Sequence, residues 1–176
     1  MSKPSVVECS VPNSSEVLKH INLPSYSDCY STNIEHGISA TDAYRAIFGH
    51  TSSWIMALMS VRNRIAAMAG LKDLSRSELA NAESSIHQTP YITGKRAGMF
   101  SVISVSEKEL ILGDNDKHLN FRISVLINND AEPTVYLSTV VEEHNWAGRL
   151  YMFFVKPIHR IIAPYVVRKA KSEGRV

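Results

Sequence analysis

Little net charge, few cysteines and no long apolar run characterise this chain, and each shortage excludes something. Nineteen basic residues against 17 acidic ones leave a net charge of +2, too small to announce a nucleic-acid binder. No stretch reaches the roughly 18 consecutive apolar residues that mark a spanning helix. The longest obvious run, Leu150 to Val155, has six. The opening MSKPSVVECSVP lacks the continuous apolar core of a signal peptide. Two cysteines, Cys9 and Cys29, show no metal or redox spacing, so a reduced, cytoplasmic setting is expected. There is no His-Glu-x-x-His, no phosphate-cradling glycine loop and no Gly-x-Ser-x-Gly elbow. What remains is 176 residues, 44% hydrophobic and 20% charged, enough for one globular domain with its own core.

Charge is unevenly placed. From Trp146 to Val176 there are seven basic residues and one acid, Glu173, a net +6 that leaves −4 on the 145 residues before it. Such an end suits phosphates or an anionic membrane surface. The preferred reading is the plainer one, that a terminal helix favours Lys and Arg because they complement its C-terminal dipole.

Residues 1–25, rich in Pro, Ser and Asn, read as an extended N-terminal arm, and 26–176 as the domain proper. Tyr30, Thr32 and Ile34 alternate in a first strand over 26–34. Ser39 with Asp42 three residues on resembles a capping box and opens a short helix. A second helix runs from Ser53 on the steps Trp54, Leu58, Val61, Ile65 and Met68, ending at a Gly70 cap. A further short helix over 79–84 sits in a polar excursion, 76–96, of the kind that forms a lid. Strands then follow over 99–106, 109–113, 118–128 and 134–144, with 114–117 as a turn. In the 118–128 strand Leu119, Phe121, Ile123, Val125 and Ile127 share one face; His118, Asn120, Arg122 and Ser124 share the other. A terminal helix closes the chain, with Ala147, Leu150, Tyr151, Phe154, Ile158, Ile161, Ile162 and Tyr165 as its core stripe. Pro157 and Pro164, seven residues apart, fall on a face away from that stripe and bend the helix convex to solvent.

Asp114, Asp116, His118 and Arg122 are the densest polar cluster. Carboxylates beside an imidazole suit acid–base work or metal ligation. Asp114-x-Asp116-x-His118 matches the opening of a calcium loop but lacks its glycine and distal glutamate. Turns attract Asp for ordinary backbone reasons, so a partly buried network that fixes the turn is expected rather than catalysis. Glu142, Glu143, His144 and Arg149 form a second polar junction at the entry to the last helix.

Three blocks carry a resemblance. They are Trp54 and Leu58 with Arg62-Asn63; Leu112-Gly113-Asp114-Asn115-Asp116-Lys117-His118-Leu119-Asn120-Phe121-Arg122; and His144-Asn145-Trp146-Ala147-Gly148-Arg149-Leu150-Tyr151 with Pro157-Ile158-His159-Arg160. With this element order the chain resembles the helix-grip superfamily of birch-pollen-allergen-like, lipid-transfer and polyketide-cyclase proteins. It looks most like an uncharacterised bacterial family often fused behind short-chain dehydrogenase or epimerase domains. The resemblance implies an α+β fold in which a curved antiparallel sheet grips the terminal helix around a cavity. Fold alone implies no activity.

The expected function is therefore small-molecule binding. An apolar or amphipathic ligand would lie between Trp54 and Leu58, the sheet residues Phe121, Ile123 and Leu137, and the helix residues Tyr151, Phe154 and Ile158. No cofactor, metal or nucleic acid is expected. A cyclase or dehydratase would need Asp116, His118 or Arg122 inside the cavity. A peripheral membrane protein would use the basic terminal helix; with its stripe packed away, screened attraction alone would be weak, so membrane contact is not favoured.

Overall fold

The computed structural model describes residues 6–50, 52–68, 85–87 and 90–176. In chain order these form β1 (Val7–Glu8), a short 3-10 helix (Glu16–His20), β2 (Tyr26–Asn33), α1 (Ala40–Phe48) and α2 (Ser53–Met68). Then come β3 (Arg96–Ala97), β4 (Phe100–Val105), β5 (Glu109–Asn115), β6 (Leu119–Asn128), β7 (Thr134–Glu143) and the long helix α3 (Trp146–Ser172). Seven strands pair in the order β1-β2-β7-β6-β5-β4-β3, antiparallel throughout. This is an α+β, helix-grip-like architecture: a curved open sheet with α1 and α3 packed against one face. The Gly70 cap and the short helix over 79–84 lie outside the described residues, as does most of the 76–96 excursion.

Local chemistry accounts for the starts of the elements. Ser39 caps α1 by accepting from the Asp42 amide at 3.2 Å, as its spacing predicts. Asn145 caps α3, accepting from the amides of Ala147 and Gly148, which satisfies donors that would otherwise be orphaned. One boundary moves. Asp114 and Asn115 finish β5 instead of opening a turn, pairing with Phe121 and Asn120, so the turn is 116–118 and His118 belongs to it.

The alternation of β6 gives the sheet its two faces. Ile123, Val125 and Ile127 pack with Leu110, Leu112, Leu137, α1 and the C-terminal half of α3 in the main core. The opposite face is not left to solvent. Arg122 and Ser124 are buried there, because residues before β2 lie across it. Val17 and Ile21 pack on Ile111 and Val140, while Glu109, itself buried, accepts from the hydroxyls of Ser15 (2.5 Å) and Ser124 (2.6 Å) and from the Glu16 amide (2.8 Å). Antiparallel pairing also brings Cys9 against Cys29, sulfurs 3.2 Å apart and both reduced. Twenty residues of separation hide that proximity in the sequence.

α3 corrects the expected stripe. Its buried residues are Ala147, Gly148, Tyr151, Met152, Ala163, Pro164, Val166, Val167 and Ala170. Leu150, Phe154 and Ile161, assigned to the core by spacing, are 45%, 47% and 61% exposed. The true core face is rotated by about a third of a turn. The segment is apolar nearly all round, so periodicity does not select a face, and small residues face the sheet because the backbones approach closely there. A Cβ on Gly148 would stand 2.2 Å from the His118 carbonyl oxygen. The helix runs unbroken through both prolines; Pro157 is exposed as expected, but Pro164 is buried.

Candidate functional site

The most concentrated polar group against α3 comes from β2, β7 and the middle of that helix. Asp28 pairs directly across from Thr139, and Ile123 is the next residue in the row, so all three point to the helix side. His159 descends from α3 between the two polar ones. Its Nδ1 lies 2.9 Å from Asp28 Oδ2 and its Nε2 lies 3.3 Å from Thr139 Oγ1. With a carboxylate at Nδ1, that nitrogen carries a proton, and Nε2 is left to the threonine hydroxyl. Tyr26 donates its phenol to the same Asp28 Oδ2 at 2.7 Å. Burial, reinforced by Asp28, pushes the Tyr26 hydroxyl well above its ordinary range, so it stays a donor. Lys156 and Arg160 stand over its ring at 5.3 and 6.0 Å.

Asp28 is the unusual member. Its side chain is 3% exposed, and Oδ1 has no hydrogen-bond partner among the described residues. Leu137 and Val141 flank Thr139 along β7, each within an apolar cluster, Val141 with Tyr151 and Val155 and Leu137 with Ile162. The arrangement offers a fixed acceptor in an apolar seam. Thr139 is itself buried beneath His159, which suits it to hold the imidazole. Among the described residues no group of His, Cys, Asp and Glu is arranged to hold a metal ion.

The sequence-derived ligand residues do not form one group. Ile123 and Leu137 are buried in the main core, Tyr151 in a second cluster with Ala66 and Leu119, and Phe121 lies between the two, edge-on to Phe100. Ile158 is half-buried. Trp54 stands 36% exposed, packed edge-on against Tyr165 with centroids 4.8 Å apart, and Phe154 lies half outside. The Leu58 side chain is outside the described residues.

The polar row separates as well. Asp114 accepts from Ser101 Oγ at 2.6 Å and faces Arg96 at 3.6 Å. Arg122, on the other face, donates to the carbonyls of Phe121 (2.8 Å) and Asp114 (3.3 Å) and to Asn115 Oδ1 (2.7 Å); burial pulls its pKa down. The Asp116 side chain accepts from the His118 amide at 3.1 Å, and His118 Nδ1 meets Asn145 Oδ1 at 3.0 Å. Asn145 also donates to the Lys117 carbonyl (3.1 Å), and the His144 amide to that of His118 (2.9 Å). The two longest resemblance blocks therefore meet as a latch between the β5–β6 turn and the start of α3. Nearby, Glu143 pairs with Lys156 at 3.3 Å and Glu142 lies 3.9 Å from His144.

Sequence reading missed Tyr26, Asp28 and Thr139, and quoted His159 only as part of a block. A signal was present: Asp28 shares the period of Tyr30 and Thr32, placing an acid on the inward side of a strand.

No curated protein and no solved structure matches the chain. A family model does match, over residues 21–166, which takes in β2 through most of α3. The chain belongs to that family, described as a protein of unknown function (DUF2867).

Proposed function

We propose that this protein binds a small amphipathic molecule in the seam between β2, β7 and α3, with a hydrogen-bond donor of the ligand on Asp28. One observation carries this reading: a buried carboxylate oxygen without a partner among the described residues, on a sheet face that holds apolar clusters to either side. An unsatisfied buried acceptor costs about 1–3 kcal/mol, and a hydroxyl or amine on an otherwise apolar ligand would recover it. Phe121, Tyr151 and Ile158 would flank the apolar body. The cyclase or dehydratase reading gains less support, because Arg122 faces the opposite side of the sheet and spends its guanidinium on the β5–β6 hairpin.

Native mass spectrometry of protein purified from the expressing cells tests the proposal. A small-molecule adduct is expected on the wild type, strongly reduced in Asp28→Asn, which keeps the shape and removes the charge. Wild-type protein that flies only at its bare mass, with nothing released into an organic extract, would sink it.

A further inference from the structure

We infer that the exposed side of α3, with α2 beside it, is a docking surface for an anionic lipid bilayer. This inference rests on exposure and charge, and does not depend on the Asp28 seam.

Trp146, Leu150, Phe153, Phe154, Pro157 and Ile161 recur at helical steps along the first four turns of α3, and all are exposed. Trp146 and Phe153 reach 73% and 70% exposure. At about 1.5 Å per residue the row is about 22 Å long. It occupies the side of the helix away from Tyr151, Met152 and Ala163, which pack inward. Although no run of about 18 consecutive apolar residues is present, α3 is long and apolar enough by length and composition to cross a membrane, and only 28% of its most apolar stretch is buried. A domain gains nothing from a continuous apolar ridge held in water, and such a patch marks a binding surface.

Charge selects the partner. α2 and α3 together hold eight Lys or Arg residues and no acid, while the rest of the chain has 11 basic against 17 acidic, a net −6. Arg149 and Arg160, both exposed, run beside Phe153 and give the apolar row a basic border; Lys156 between them is paired with Glu143. α2 lies alongside, Trp54 against Tyr165 and Ala66 against Tyr151 and Met152, and adds exposed Trp54, Val61 and Arg64. Aromatic and aliphatic side chains with flanking Lys and Arg suit a helix lying in the headgroup plane of an anionic membrane. A second copy suits the face poorly, since two acid-free basic helices would be apposed.

The test is co-sedimentation with phosphatidylcholine vesicles made with and without phosphatidylserine. Wild-type protein is expected to bind the anionic vesicles and to bind the neutral ones far more weakly. Trp146→Ser and Phe153→Ser should each weaken binding about tenfold, and Arg149→Gln or Arg160→Gln about fivefold. All four residues are exposed or half in water, so unchanged thermal melts certify that the variants fold. In a Trp54→Phe background, Trp146 fluorescence should shift to the blue on anionic vesicles. No binding to anionic vesicles overturns the inference, as does binding indifferent to both aromatic substitutions. Sedimentation equilibrium showing a dimer that Phe153→Ser dissociates would assign the face to a second copy and overturn it too.

Discussion

Replacing Gly148 by alanine should reverse the usual sign of that substitution. In an ordinary helix, alanine in place of glycine gains about 1 kcal/mol from backbone entropy and burial. Here the added Cβ would stand 2.2 Å from the His118 carbonyl oxygen and 3.1 Å from its carbon. The obstacle is backbone, so it cannot rotate aside. That same carbonyl accepts from the His144 amide, and the His118 ring and Lys117 carbonyl are tied to Asn145. Relief therefore means prising the β5–β6 turn from the start of α3. Overpacking of this kind costs about 1–3 kcal/mol, and loosening one or two hydrogen bonds about 1 kcal/mol each. After the propensity gain, a net loss of about 2 kcal/mol is expected. For a chain of this length that lowers the melting midpoint by about 4–8 °C. Calorimetry or urea melts would read it, and amide exchange should show His144 losing protection first. A midpoint that rises, or does not change, would refute the close approach and with it the latch.

Two further outcomes follow from buried groups. Arg122→Ala should cost about 2–3 kcal/mol, because two carbonyls and the Asn115 amide oxygen lose a charged donor together; Arg122→Lys should not restore it, since a single ammonium cannot span the three, and a melt within about 0.5 kcal/mol of wild type would place Arg122 in solvent after all. Burial pushes the Cys29 thiol up to about 12, so its thiolate is scarce at neutral pH and grows only as the medium becomes strongly alkaline; closure onto Cys9 by glutathione disulfide should be slow at neutral pH and accelerate with alkalinity, and rapid neutral closure, read by mass spectrometry, would contradict that burial.

How far the sequence spoke depended on whether one interaction dominated locally. The Ser39 cap, the start of α2 and the period-two pattern of β6 were legible, because a cap or an alternation acts within a few residues. The core face of α3 was not. Leu150, Phe153, Phe154 and Ile161 are as apolar as the residues that were buried, and the choice was made by Gly148, Ala163 and Ala170, whose small size lets the helix settle against the sheet. The Asp28 group was hidden for another reason. Asp28 and His159 are 131 residues apart, and each member alone resembles an ordinary strand or helix residue. Arg122 illustrates a third case: alternation assigned its face, yet its burial depends on the arm around Ser15 and Val17, which carries no periodic signal.

The seven-stranded sheet ends on both sides in strands of two residues, Val7–Glu8 and Arg96–Ala97. A sheet grows by templating on its outermost backbone, and here each flank offers only a rung or two before the chain turns away. Arg96 on one side and Glu8 on the other put a charge on those rungs. β5, β6 and β7 have a strand partner on both sides, whereas the two-residue flanks cover only Tyr30–Ser31 of β2 and Phe100–Ser101 of β4. Ribbon-like stacking through the sheet should therefore begin at β2 or β4, and detachment of the arm or of β3, which bares the rest of those edges, should speed it.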